Sequence, residues 1–211
     1  MKKLISLLVC VAILFTFASC AKKEIEKEDF LTLDNGNISV VSLQGVSGLF
    51  VEKGNQDEVK NVAALIVKNN SDRMLEYCVI SFRVNDYERA DFNISALPAG
   101  ESVIVMETLA RTYSSDDKYA VDNESTIFSY CDSSLLSDVA ELKTEGSDFM
   151  LKNRSDKPVS ATVVYKYYKD GMYYGGIAFR GKFENVAPGE TMKKTSNRFN
   201  EDCRIVNITV D

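Results

Sequence analysis

Two short polar blocks occur twice in this chain, in the same order and at nearly the same spacing, and no other feature limits the fold as tightly. Lys68-Asn69-Asn70-Ser71-Asp72-Arg73 returns as Lys152-Asn153-Arg154-Ser155-Asp156-Lys157, 84 residues later. Leu97-Pro98-Ala99-Gly100-Glu101-Ser102 returns as Val186-Ala187-Pro188-Gly189-Glu190-Thr191, with the glycines 89 residues apart. The five-residue difference lies between the blocks, where the second copy carries Asp170-Gly171. Both blocks are turn chemistry: Asn, Ser and Asp side chains hydrogen-bond their own backbone, and Pro with Gly presets a bend. Each borders an apolar run. Duplicated turns with duplicated strands between them predict two homologous modules of about 80–100 residues each.

From Phe30 onward, short β-branched and aromatic runs alternate with Gly, Asn, Asp and Ser clusters, the pattern of an all-β sandwich. In the first half the pattern predicts strands over 37–44, 48–53, 62–69, 77–84, 91–96, 102–108 and 126–131. In the second half it predicts them over 139–144, 148–152, 160–169, 172–179, 182–185, 191–196 and 204–210. The one helical signal, Leu135 to Leu142, is two turns at most. Cys78, Ile80, Phe82 and Val84 alternate with Tyr77, Val79, Ser81 and Arg83, so the first set is the expected core face. Asp170-Gly171 between two tyrosine-rich runs predicts a hairpin with a type I′ turn, which needs positive φ at both central residues. Aligning the modules without gaps sets Phe82 against Lys166 and flips the core face. A one-residue slip pairs Ile80 with Val163 and Phe82 with Tyr165, and requires a bulge in one copy.

The first twenty residues carry a different message. Lys2 and Lys3 precede an apolar run from Leu4 to Phe17, and small residues then precede Cys20. That order is a secretory signal peptide. Phe17-Ala18-Ser19-Cys20 resembles a lipobox, in which a lipid is attached to the cysteine thiol and a peptidase that needs small side chains cuts before it. An uncleaved membrane helix would need about 20 apolar residues, a length the run only just approaches. The expected organisation is a signal peptide over 1–19, a lipidated Cys20 with a charged tether over 20–29, and two modules over 30–133 and 134–211. The protein is then extracytoplasmic and tied to a membrane. At ~0.8 kcal/mol per buried methylene, two acyl chains hold durably where one does not.

Composition narrows the chemistry. The formal net charge is −6, and loss of Lys2 and Lys3 with the leader takes it to −8. An acidic surface disfavours nucleic acid and anionic headgroups as partners. The chain has no histidine, which removes Ser-His-Asp and Cys-His catalysis and most zinc sites. It also has no tryptophan, the commonest side chain for stacking on sugars. No catalytic residue, cofactor or metal ligand stands out. Cys78, Cys131 and Cys203 remain in the mature chain besides Cys20. Their odd number allows at most one internal bridge, for which Cys78 and Cys131 are the better pair, while three buried thiols acting as small apolar residues is the simpler alternative.

Lys-Asn-x-Ser-Asp, then a long apolar-to-aromatic strand, then a Pro/Gly-Glu turn resembles the immunoglobulin-like modules of bacterial surface lipoproteins, including the FxLYD-type group. In such modules a segment near Tyr165-Lys166-Tyr167-Tyr168-Lys169-Asp170-Gly171 is typical. The resemblance covers roughly residues 45–211. It implies a seven-stranded immunoglobulin-like β-sandwich per module and a binding or scaffolding role without catalytic residues.

Three local motifs have competing readings. Gly176 to Lys182 matches the first seven positions of a phosphate-binding loop, but Phe183 stands where magnesium needs a hydroxyl and no helix follows. Ser114-Ser115-Asp116-Asp117 lacks the alternating ligands of a calcium loop and reads as a solvated turn. Tyr165, Tyr167, Tyr168, Tyr173 and Tyr174 cluster within ten residues. Alternation puts Tyr165 and Tyr167 on one face and Tyr168 on the other, leaving Tyr168, Tyr173 and Tyr174 as the candidate binding face unless the rings fill the core. The expectation is a non-catalytic lipoprotein that binds a protein or envelope component. A ligand-free spacer or assembly subunit is the alternative, and a carboxylate-based hydrolase a distant third.

Overall fold

The computed structural model describes residues 30–54, 57–135 and 138–210, and these are all-β. The leader, the lipobox residues Phe17, Ala18 and Ser19, Cys20 and the tether lie outside the described residues. The strands of the first half are β1 (Leu31–Leu33), β2 (Ile38–Phe50), β3 (Asp57–Asn69), β4 (Met74–Val84), β5 (Glu88–Leu97), β6 (Ser102–Met106), β7 (Tyr119–Val121) and β8 (Ile127–Cys131). The second half carries β9 (Ala140–Glu145), β10 (Asp148–Asn153), β11 (Val159–Lys169), β12 (Met172–Val186), β13 (Thr191–Thr195) and β14 (Cys203–Val210). Two pairs of expected strands are each one long strand, β2 and β12. The expected helical turn is absent where described, because Ala140–Leu142 pairs with β10.

Three sheets result. The largest runs β1-β2-β3-β6-β12-β11-β14 and so draws strands from both halves. β5-β4 with β7 and β8 forms a second sheet, and β13-β10-β9 a third. The second sheet packs on the large sheet through Ile80, Phe82, Phe92 and Ile94 against Val40, Leu65, Val67 and Val105. The third packs through Phe149 and Leu151 against Val163, Tyr165 and Phe183. Each such side chain contributes roughly 1.5–3 kcal/mol when withdrawn from water. In β11, Val163 and Tyr165 face the second core while Val164 faces the first. Successive strand residues point to opposite faces, so the two smaller sheets lie on opposite sides of the large one.

The duplicated turns close through one buried asparagine each. Asn69 donates from Nδ2 to the carbonyls of Arg73 (2.8 Å), Leu97 (3.1 Å) and Pro98 (3.2 Å), and its Oδ1 accepts from the Ser71 hydroxyl at 2.7 Å. Asn153 donates to Lys157 O (2.6 Å) and Val186 O (2.9 Å), and accepts from the Ser155 hydroxyl at 2.8 Å. The backbone of Asn69 pairs with Glu101 and Gly100, and that of Asn153 with Glu190 and Gly189. In each half, then, the asparagine joins the polar block to the Pro/Gly block.

Asp170 and Gly171 have φ of 52° and 85°, and Lys169 pairs with Met172, as the expected hairpin requires. The candidate disulfide is corrected. Cys78, Cys131 and Cys203 are free thiols. Cys131 lies opposite Met74 and Cys78 opposite Phe128, which sets the two cysteines four residues apart along β4, or about 13 Å. A bridge needs Cα atoms within ~7 Å.

Candidate functional site

The two halves meet along β12. Its first residues run parallel to β6, with Tyr173 opposite Val103 and Tyr174 opposite Ile104. On its other side the register with β11 jumps from Tyr165↔Phe179 to Tyr167↔Tyr174. Gly175, Gly176, Ile177 and Ala178 therefore bulge opposite Lys166 alone. The bulge presses against the edge strand β5, so closely that a Cβ on Gly176 would lie 1.8 Å from the Asn93 carbonyl oxygen. Gly175 has φ +82°, and a Cβ there would meet Val51 at 1.9 Å. No residue with a side chain fits either place.

Lys166 fills the space under the bulge and is fully buried. Its Nζ donates to the carbonyls of Gly176 (2.7 Å), Ile177 (2.9 Å) and Ser95 (2.9 Å). Gly176 and Ile177 belong to the second half and Ser95 to the first, so one ammonium fastens both. From the other direction comes Glu52, just beyond β2. Its carboxylate accepts from Met106 N at 2.9 Å and from Gly176 N at 2.8 Å. Gly176 thus gives its N–H to Glu52 and its C=O to Lys166. The residue before Glu52, Val51, is buried in the second core. The end of β2, from Leu49 to Glu52, is therefore an arm of the first half inserted into the second.

Burial pushes the Glu52 carboxyl well above its usual range, opposed by the Met106 and Gly176 amides and by the Lys166 charge. Burial pushes the Lys166 ammonium well below its usual range, opposed by the Glu52 charge. Glu52 as a whole residue is part-exposed, but its carboxylate faces these amides. Two donors around Glu52 and three acceptors around Lys166 favour the charged forms that desolvation opposes. Both groups are spent on backbone atoms. This is a fastening, with no open face for a substrate.

Beside the fastening the arm leaves a surface pocket of ≈ 420 Å³. One wall is Ser47, Gly48 and Leu49 of β2, and the opposite wall is Tyr167, Tyr168 and Tyr174. Lys169, Asn200 and Asp202 form the polar rim. Tyr174 donates its hydroxyl to Leu49 O at 2.8 Å. The guanidinium of Arg204 lies 3.2 Å from the Tyr168 ring centroid, and Tyr173 meets that ring edge-on at 5.2 Å. Tyr168 N donates to Asp202 O at 2.6 Å, which holds the loop before β14 against the rings.

Of the three tyrosines expected on a binding face, Tyr168 and Tyr174 are half-buried and line this pocket. Tyr173 is a correction: pairing with Val103 places it in the first core with 5% of its surface exposed. Tyr165 and Tyr167 face the second core, as alternation predicts. The loop-like segment Gly176–Lys182 is strand, and Asp117 is taken by Asn85 and Arg111. Sequence reading missed Glu52, Lys166 and the β2 wall. The one available signal was Lys166 itself, a lysine in the middle of an apolar-aromatic strand. Among the described residues no helix is long and apolar enough to cross a membrane.

Searches against protein-family models, curated proteins and solved structures returned no match.

Proposed function

We propose that this chain is a non-catalytic lipoprotein, anchored outside the cytoplasm through Cys20, that binds a protein or envelope component through two immunoglobulin-like modules. The seam pocket under the β2 arm carries the binding part of this reading, since small-molecule sites favour clefts between packed units with a few convergent polar groups. The matching bonds of Asn69 and Asn153 support the two-module reading, as does the recurrence of strand order β2-β3-β6 as β9-β10-β13. Anchoring is supported by the order Lys2-Lys3, apolar run, Ala18-Ser19-Cys20. A binding role without catalysis is supported by the histidine-free sequence and by Glu52 and Lys166, whose polar atoms are engaged by backbone.

Two measurements test this. Cys20→Ser is expected to leave the chain unprocessed or to release it from membranes, and unchanged lipid mass and partitioning would contradict the anchor. A photo-reactive side chain at position 201, between the rim residues Asn200 and Asp202, is expected to crosslink an envelope component in cells, whereas one at position 83, on the outer face of β4, is not. Equal labelling from both positions would contradict the pocket as the binding site.

A further inference from the structure

The chemistry of the pocket also says what kind of molecule fits it, on the reading that it is the binding site. Its volume of ≈ 420 Å³ falls within the ~300–1,000 Å³ of small-ligand sites. Its aromatic wall is held before any ligand arrives: Tyr174 by its bond to Leu49 O, and Tyr167, its cross-strand partner on the same face, by edge-on packing against Phe179. Groups fixed in advance lose little entropy on binding. The rim is polar and balanced in charge. Lys169 and Asp202 are both exposed, one of each sign, and no hydrogen bond or ion pair within the chain engages either side chain among the described contacts. Asn200 spends its Oδ1 on Asp202 N at 3.0 Å, which leaves its Nδ2 to donate outward.

These features sort ligand classes. A phosphate or other dianion would meet Asp202 as well as Lys169, in a chain whose net charge is already negative. An acyl chain needs an enclosed apolar tunnel, whereas this site is open with a polar rim. A neutral polyhydroxylated ring fits both parts. Its C–H face lies on tyrosine rings, while its hydroxyls can donate to a carboxylate and accept from an ammonium and an amide. We propose that the seam pocket, walled by Tyr167 and Tyr174 and rimmed by Lys169, Asn200 and Asp202, binds a pyranose ring of a neutral saccharide. The open rim suits one ring of a longer glycan.

The test uses the mature chain and three named probes, maltose, cellobiose and N,N′-diacetylchitobiose. Binding is read by saturation-transfer NMR and by tyrosine fluorescence, which no tryptophan obscures. At least one disaccharide is expected to bind saturably. Asp202→Asn and Lys169→Met are expected to weaken it tenfold or more with unchanged melting temperature, because both side chains are exposed. No saturable binding of any probe, or equal binding by both variants, overturns the proposal. So does binding of an uncharged tripeptide amide in place of every sugar. If the sugars fail while position 201 still crosslinks an envelope component, the pocket stands as a binding site and only the ligand class falls. If both fail, the pocket reading falls with it.

Discussion

Arg83 in β4 and Lys166 in β11 occupy the same register position once the one-residue slip between the halves is allowed, yet one is exposed and the other fully buried. Each is the basic residue that points away from the core of its own half. In the first half that outward face meets water. In the second half it meets β5, whose Ser95 carbonyl accepts from Lys166. A cation on an outer strand face is ordinary. Covered by another sheet, it must find a full set of acceptors. The bulge at Gly175–Ala178 supplies two of them and β5 the third. What differs between the positions is the neighbour that covers them, and the bulge is the local adjustment that makes the covering tolerable.

Several substitutions sharpen or break this contrast. The largest effect is expected at Gly176, where valine would drive a Cβ into the Asn93 carbonyl oxygen. The loss should exceed ~3 kcal/mol, beyond ordinary overpacking, as measured by chemical denaturation; a loss below 1 would mean that the halves do not touch there. Next comes Lys166→Ala, which strands a buried carboxylate and three carbonyls and is expected to cost about 3–5 kcal/mol. Arg83→Ala should stay within roughly 0.5 kcal/mol, as for other exposed sites. Equal effects at the two positions would erase the contrast. Asn69→Ala and Asn153→Ala are each expected to cost about 1–3 kcal/mol through unsatisfied buried carbonyls, with Asn69 the costlier because it serves three carbonyls and Asn153 two.

The smallest effect is a pH dependence. The folded carboxyl of Glu52 titrates above its ordinary 4.5, so the stability tied to its protonated form is complete below pH 4.5 and lost as pH rises through the raised value. Lys166 behaves in mirror image: its folded pKa lies below the ordinary 10.5, so its contribution is complete above that value and lost as pH falls. Both penalties overlap near neutrality. Asp117, Glu141 and Asp148 are held low by hydrogen bonds and charges from their Asn, Arg and Lys neighbours, and they lose their contribution only in more acid solution. Between pH 5 and 7 the melting temperature of the wild type should therefore fall relative to that of Glu52→Gln. Parallel curves would contradict the burial of Glu52.

Much of the architecture was legible because its signals are local. The polar blocks, the Asp170-Gly171 turn and the alternation Cys78, Ile80, Phe82, Val84 each specify structure within a few residues. The short strands β1 and β7, with three residues each, carry too little pattern to register. The seam was not legible, because its chemistry is shared across the chain: Glu52, Ser95, Lys166 and Gly176 are brought together only by tertiary folding. Tyr173 was misplaced for the same reason. Alternation sorts faces within one strand, but it cannot show that the second sheet covers that face.

The central claim is that Lys166 and Glu52, meeting at Gly176, fasten the two halves into one cooperative body. Differential scanning calorimetry of the protein tests it most directly. The wild type should melt in a single transition with equal calorimetric and van't Hoff enthalpies, and Lys166→Ala should split it in two. Two transitions in the wild type, or one unchanged transition in the variant, would contradict the claim.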